Sequence, residues 1–272
     1  MITADLHTHT RCSHGKNTVR EMFAAGRERG ISLHGFSEHS PRPDGYDYPR
    51  EYRAQLISAY PDYVLEVLEL KERHPGQVLL GMEVDWIEAE SDFMQTSIRA
   101  YDFDYLIGSV HFVGTWGYDF SAADWKDFSF DQCAAHYESY FDALTRMAAS
   151  RLFNIAGHLD LIKIFSIDTF RQWLTRHDGL ELVRDSLVAV RDAGMSMEIS
   201  SAGLRKPCRE IYPSPEIMRL AADLQVPVVF ASDAHQTAEM GFAFDELARY
   251  AASFGIERGE CMIGGVGFTF AL

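Results

Sequence analysis

The chain lacks a long apolar run. Nowhere in its 272 residues does a hydrophobic stretch approach the roughly 18 residues that a membrane span needs, so no membrane partner is expected. Cysteine is scarce too. Cys12, Cys133, Cys208 and Cys261 lie far apart and form no C-x-x-C pair, which argues against a zinc ribbon or a small disulfide scaffold. Reduced thiols in a cytoplasmic protein are the expectation. The opening MITADLHTHT has neither the basic stretch nor the apolar segment of a secretory signal. No lysine- or arginine-rich run is present, and 25 basic against 40 acidic side chains leave a net charge of −15. Such a chain repels nucleic acid unless a basic groove or bound cations intervene. Linkers, low-complexity tracts and fixed-period repeats are also missing, so residues 1–272 read as a single domain. With 47% hydrophobic and 24% charged residues, the composition is ordinary for a globular protein with a sizeable core.

Short β-rich apolar segments alternate with longer helical patterns. The strand candidates are Ile2–Leu6, Leu33–Ser37, Val78–Val84, Tyr105–Val110, Phe153–Gly157, Met195–Ser200 and Val226–Ser232. Helical periodicity covers Asn17–Arg29, with Asn17 as the expected cap, and Arg50–Arg73, stopped by Pro75-Gly76. Further helices are expected at Ser129–Ala149, Leu180–Ala193, Pro215–Leu224 and Glu239–Phe254. Strands mostly followed by helices imply parallel β/α units, wound as an open sheet or a closed barrel. An open sheet gathers its functional residues at a few loops beside a switch point, whereas a barrel collects them from nearly every strand end. Here nearly every strand candidate ends in a histidine or a carboxylate, which favours the barrel.

Alternation along the first strand sends His7 and His9 to the same side, and His14 follows on the next loop. The second strand ends at Glu38-His39. The third ends at Glu83, with Asp85 two positions on; a carboxylate after such an apolar run is costly to bury without a cation or donors. The later strands deliver His111, His158, Asp233 and His235. Any one of these could be a satisfied core histidine or a capping aspartate. Together, seven of the eleven histidines stand at strand ends, where one barrel mouth would collect them. His34, His74, His136 and His177 read as structural or solvated. Seven imidazoles with Glu83 and Asp233 exceed what one ion needs and suit two or three ions sharing a bridging carboxylate. Closely spaced ions can generate hydroxide and clamp both oxygens of an in-line displacement at phosphorus. Three divalent cations would bring the formal charge from −15 to about −9, which is how an acidic protein could attract an anionic ester.

The series DLHTHT, CSHG, FSEHS, GMEVD, GSVHF, GHLDLIK and ASDAH resembles the polymerase-and-histidinol-phosphatase (PHP) family of metal-dependent phosphoesterases. SVHFVGTWGYD, GHLDLIK and EISSAGLRK look like its histidinol-phosphate phosphatase branch. The resemblance implies an α/β fold: a distorted seven-stranded, TIM-like (β/α) barrel with its metals at the C-terminal strand ends. By motif it assigns His7, His9, Glu83 and Asp233 to one metal, and Glu83, His111 and His158 to a second. His14, His39 and His235 fall to a third. Zinc, iron or manganese suits such ligands. A metal-bound hydroxide would attack the phosphate of a small ester directly, with Glu83, Asp233 and His235 at the reacting centre.

Beyond the ligands, Arg205, Lys163 and Lys206 are expected to grip phosphate, with Arg42 a weaker candidate. Asp119, Trp116 and Tyr118 could face the cationic part of the substrate, and Asp160 could protonate the leaving alkoxide. Residues Trp116–Phe130 read as an irregular loop that could serve as a lid. Cys12 is expected to pack rather than coordinate. The terminal GGVGF has the look of a phosphate loop without the strand–turn–helix setting one needs. A phosphoesterase for a nucleotide or another small phosphate, a zinc-dependent amide or lactone hydrolase, and a metal-binding barrel without turnover are the rival readings. The sequence is silent on oligomeric state.

Overall fold

Seven parallel strands form one sheet in the order β1-β2-β3-β4-β7-β8-β9. The computed structural model of the chain describes residues 1–46 and 50–272, the side chains of residues 50 and 51 excepted. The strands are β1 Ala4–Asp5, β2 Leu33–His39, β3 Val78–Asp85, β4 Tyr105–Ser109, β7 Ile155–Ala156, β8 Ser196–Ser200 and β9 Val228–Ala231. Between them run α1 Val19–Glu28, α2 Arg50–Arg73, α3 Ser91–Arg99, α4 Phe130–Ala149, α5 Ile167–Leu174, α6 His177–Asp192, α7 Pro215–Asp223 and α8 Phe244–Ala252. No helix among the described residues is long and apolar enough to cross a membrane.

The sheet curls until its two edge strands meet. Thr8 bridges Ala234 in parallel register, His9 N donates to Ala234 O at 2.8 Å, and Lys16 N donates to His235 O at 2.8 Å. Below this seam the buried Asp5 carboxylate accepts from Ser232 N at 3.0 Å and Ser232 Oγ at 2.5 Å. The expected barrel is therefore present, and its seam falls beside His7, His9 and Asp233.

The barrel interior is apolar and tightly filled. Tyr105 crosses it and donates its hydroxyl to Leu6 O. A Cβ at Gly81 would lie 2.5 Å from the Tyr105 ring, and one at Gly35 would collide with its hydroxyl, so both strands carry glycine where the ring passes. The base is closed by a hairpin of β10 Arg258–Ile263 and β11 Val266–Ala271. Its Cys261, Ile263 and Phe270 share one buried cluster with Leu6, Leu33, Tyr105, Ile107 and Val229. Gly264 and Gly265 both adopt positive φ in its turn, which a two-residue hairpin loop of this kind requires. The GGVGF segment is thus a turn and an edge strand.

Local corrections have local causes. Helix α1 is capped by Thr18 in a reciprocal box with Glu21, not by Asn17, whose side chain instead accepts from Thr237 N at 3.0 Å. Helix α8 begins at Phe244 rather than Glu239, because residues 237–239 form a separate 3₁₀ turn. The loop after β4 is more ordered than its composition suggests. It holds a short hairpin, β5 Phe112–Val113 and β6 Trp116–Gly117, then a 3₁₀ turn at Ala122–Trp125.

Candidate metal centre

At the C-terminal mouth the strands deliver their polar ends into one buried pocket around Glu83. Its two oxygens face opposite ways. Oε2 stands 3.3 Å from His7 Nε2, 3.5 Å from His9 Nε2 and 2.8 Å from His39 Nδ1. Oε1 stands 2.9 Å from His158 Nε2 and 3.4 Å from His111 Nε2. Asp233 Oδ1 lies 3.2 Å from His9 Nε2 and 3.8 Å from His7 Nε2. Asp233 itself adopts φ +49°, a left-handed conformation that aspartate tolerates better than most residues. His235 follows, its Nδ1 3.5 Å from Asp233 Oδ1.

These donors are packed as ligands are. Two atoms each about 2.1 Å from a tetrahedral ion stand about 3.4 Å apart, and most of the separations above lie near that value. Three interlocking sets, His7–Glu83–His158, His7–His9–Asp233 and His9–His39–His235, keep all their donor atoms within 4.8 Å of one another. His7 Nε2, His9 Nε2, both nitrogens of His39, His235 Nε2 and Glu83 Oε2 are buried without a hydrogen-bond partner among the described residues. That many orphaned polar atoms in one place would be prohibitive in a protein core. The donor set fits divalent cations.

A second layer aims the rings. His7 Nδ1 donates to Glu198 Oε2 at 2.6 Å, His9 Nδ1 to Glu38 Oε1 at 3.1 Å, and His111 Nδ1 to Asp85 Oδ1 at 2.5 Å. Each bond fixes the tautomer that leaves a bare Nε2 facing the pocket. Glu198 also accepts from the His158 backbone N at 3.2 Å. Sequence reasoning passed over Glu198, yet the signal was available: a lone carboxylate between Met197 and Ile199 in an apolar strand, the same anomaly that marks Glu83.

Burial alone would push Glu83 up, but His7, His39 and His111 around it hold its carboxyl well below the usual range. Asp233 is likewise held down against burial by His235, His9 and His7. Burial disfavours charge on His7, yet Glu198 and Glu83 raise it well above the ordinary imidazole value. For His9, Asp233 and Glu38 overcome burial and bring it to about 9. Burial and the neighbouring His9 charge lower His39 and His235. With no cation, the pocket draws protons onto His7 and His9.

The outer candidates divide. His14 lies on the exposed rim, its ring 4.1 Å from that of His235 and its Nδ1 3.2 Å from Tyr52 Oη, outside the three interlocking sets. Arg205 sits at the mouth: Nη2 donates to Ser232 O and Asp233 O, both at 2.9 Å, while Nη1 is buried without a hydrogen-bond partner among the described residues. Lys206 is half-buried, and its charge helps hold Asp233 down. Asp119 is half-buried, and its charge acts on His111.

Five of the expected residues are engaged elsewhere. Lys163 is fully buried, and its ammonium donates to Asp160 Oδ2, Glu210 Oε1, Ile211 O and Ser214 Oγ at 2.8–3.0 Å, so it has no donor left for phosphate. Asp160, the expected proton donor, is locked into the same network by Lys163 and by Ser214 N and Oγ. Arg42 is buried and forks onto Asp85, with Nε to Oδ2 at 2.6 Å and Nη2 to Oδ1 at 3.2 Å; that carboxylate in turn meets His111. Trp116 packs among Trp125, Phe128 and His136. Beside it, Tyr118 is fully buried and donates to Val110 O at 2.5 Å, so both serve packing. Cys12 is buried, as expected.

Comparison with known proteins agrees with this arrangement. The family model described as "PHP domain" matches residues 5–202. A Deinococcus radiodurans protein named "Probable histidinol-phosphatase" is 33% identical over 249 residues, covering 90% of this chain and 91% of that one. The histidinol-phosphatase of Bacillus subtilis is 29% identical, covering 90% and 98%. Among solved structures, a Listeria monocytogenes protein assigned as a histidinol phosphatase superposes with TM-score 0.79 at 25% identity, covering 89% and 99%. A Lactococcus lactis histidinol phosphate phosphatase, solved with zinc, L-histidinol and phosphate, has TM-score 0.73 at 17% identity, covers 98% of each chain, and supports the fold. A barrel whose strand ends converge on one two-faced carboxylate, matched by a family model across most of its length, has one assignment: the chain belongs to the PHP domain family.

Proposed function

We propose that the chain, read as one barrel domain, is a metal-dependent phosphomonoesterase that hydrolyses L-histidinol phosphate to L-histidinol and phosphate. The carrying observation is Glu83, one oxygen turned to His7, His9 and His39 and the other to His111 and His158. It would bridge two divalent cations. His7, His9 and Asp233 would complete one site, and His111 and His158 the other. His39 and His235, with His14 at the rim, supply donors for a third. Zinc, iron or manganese suits this donor set. When bound, such ions supply an acidified water and positive charge for the phosphoryl oxygens.

The chain's own groups would do the rest. Arg205 is anchored by Nη2 on the Ser232 and Asp233 carbonyls, so its Nη1 can meet phosphate in a fixed direction. Lys206 would add attraction at the rim, and Asp119, beside His111, is placed to meet the substrate's ammonium group. The substrate assignment draws on the relatives named histidinol-phosphatase. A panel of phosphate monoesters tests it with the metal-loaded protein: histidinol phosphate should give the highest kcat/KM. A nucleotide that wins by a wide margin would instead make this a nucleotidase of the same family. Arg205→Ala should raise KM while metal content persists; equal metal loss in Arg205→Ala and Glu83→Ala would undo that division of roles.

A further inference from the structure

We propose that the two faces of the pocket differ in grip, with the His111–His158 face binding its cation weakly because Arg42 neutralises Asp85. The inference rests on the metal-centre reading above and concerns what lies behind the imidazoles. Three of them lean on carboxylates through Nδ1, and the three carboxylates are not equivalent. Glu38, behind His9, otherwise accepts only from neutral donors among the described residues: Thr10 N at 2.9 Å, Thr10 Oγ1 at 2.7 Å, His39 N at 3.3 Å, and Ser13 Oγ. Glu198, behind His7, otherwise accepts from the His158 backbone N. Neither has a lysine or arginine within ion-pair distance among the described residues. Asp85, behind His111, is gripped by the Arg42 fork, and its Oδ1 is shared between Arg42 Nη2 and His111 Nδ1.

The charge around the pocket is therefore lopsided. The His7–His9 face has Asp233, Glu38 and Glu198 behind or beside its ligands, together with Glu83 Oε2. The His111–His158 face has Glu83 Oε1, an Asp85–Arg42 pair whose charges cancel, and only the half-buried Asp119 beyond them. His158 Nδ1 has no hydrogen-bond partner among the described residues. A carboxylate behind a ligating imidazole raises its donor strength, and a guanidinium on that carboxylate withdraws much of the effect. Arg42 thus acts as a positioning residue: it orients Asp85, limits what Asp85 gives to His111, and touches no reacting atom. One ion stays with the protein while its neighbour exchanges with the surroundings, so occupancy of the second site follows the metal supply.

A chelator titration of the zinc-loaded protein, with bound zinc counted by mass spectrometry, tests this. Zinc should leave in separate steps; His111→Ala should abolish one early step, told apart from any loss at the rim by its persistence in His235→Ala, while the last loss remains. Arg42→Gln, which frees the Asp85 charge, should shift that early step about 10-fold toward higher chelator. Arg42→Lys, which keeps a cation there, should shift it far less. Loss of all zinc in one step overturns the proposal, as does an early step that Arg42→Gln leaves in place. Arg42 is buried against Phe112; if Arg42→Gln does not fold, Asp85→Asn decides. It removes the carboxylate and should move the early step to still lower chelator; an unmoved step overturns the proposal. A protein that takes up no zinc overturns the metal-centre reading itself, an outcome distinct from one-step loss.

Discussion

Replacing Glu198 by glutamine tests how the pocket is built, because it preserves shape and removes one charge. Both Glu198 oxygens are committed as acceptors, Oε2 to His7 Nδ1 at 2.6 Å and Oε1 to His158 N at 3.2 Å. An amide offers only one acceptor. If its oxygen faces His7, its NH2 confronts the His158 N–H and leaves that buried donor unpaired. If its oxygen faces His158, the NH2 donates to His7 Nδ1 and forces the proton onto Nε2, the atom that should ligate. The first arrangement costs about 1–3 kcal/mol of stability, and the second blocks the ligand. The His7-side cation should therefore bind about 10- to 100-fold more weakly. Competition against a zinc chelator reads the affinity, and kcat/KM at saturating zinc reads the activity that extra metal restores. A Glu198→Gln protein within twofold of the parent in zinc affinity would refute the argument that this carboxylate sets the His7 tautomer.

Three further outcomes are expected. Zinc loading at pH 7 should release protons, because His7 is raised and His9 lies at about 9; affinity should climb with pH toward that value, and calorimetry in buffers of different ionisation heat counts the protons, with none released refuting the point. His34, buried against Phe36, is lowered by burial to about 3, below its unfolded value near 6.5. The unfolded chain thus binds the extra proton between these values, and His34 should remove about 1.4 kcal/mol of stability per pH unit as pH falls below 6.5; a His34→Gln variant with the same pH dependence of unfolding as the parent contradicts this. Lys163→Met should strand the buried Asp160, while Glu210 keeps Arg171 at 2.7 Å, and cost about 3–5 kcal/mol, seen as a lower unfolding midpoint; unchanged stability with a tenfold rise in KM would return Lys163 to the substrate.

Much of this was legible in the sequence because a barrel turns strand ends into a list. His7, His9, His39, Glu83, His111, His158, Asp233 and His235 each follow or end a recognisable apolar run, and the fold needs only that those runs be parallel neighbours. What failed was side-chain direction. Lys163 and Arg42 occupy the right loops, but a cation beside a strand end can turn outward to phosphate or inward to a carboxylate. Lys163 has one carboxylate partner close by, Asp160, but the others, Glu210 for Lys163 and Asp85 for Arg42, lie 47 and 43 residues away, beyond the reach of any local pattern. The closing hairpin was missed for a different reason. Its Gly264-Gly265 turn lies between two apolar runs, a strong local hairpin signal, whereas the sequence reading used these glycines only to set aside a phosphate loop. Glu198 shows that an argument from buried charge has to be applied to every strand, not only to those that also carry a histidine.

The seam between the first and last strands also bears on when the pocket can exist. Asp5 and Ser232, whose bond locks the closure, are 227 residues apart. Contacts of such long range form late, after the local β/α units have assembled. A chain emerging from the ribosome exposes His7 and His9 early, but it cannot offer them Asp233 until more than 220 further residues have been made. Competence to hold cations on that face therefore arrives with the completed barrel, and half-finished chains would pass through the cell without it.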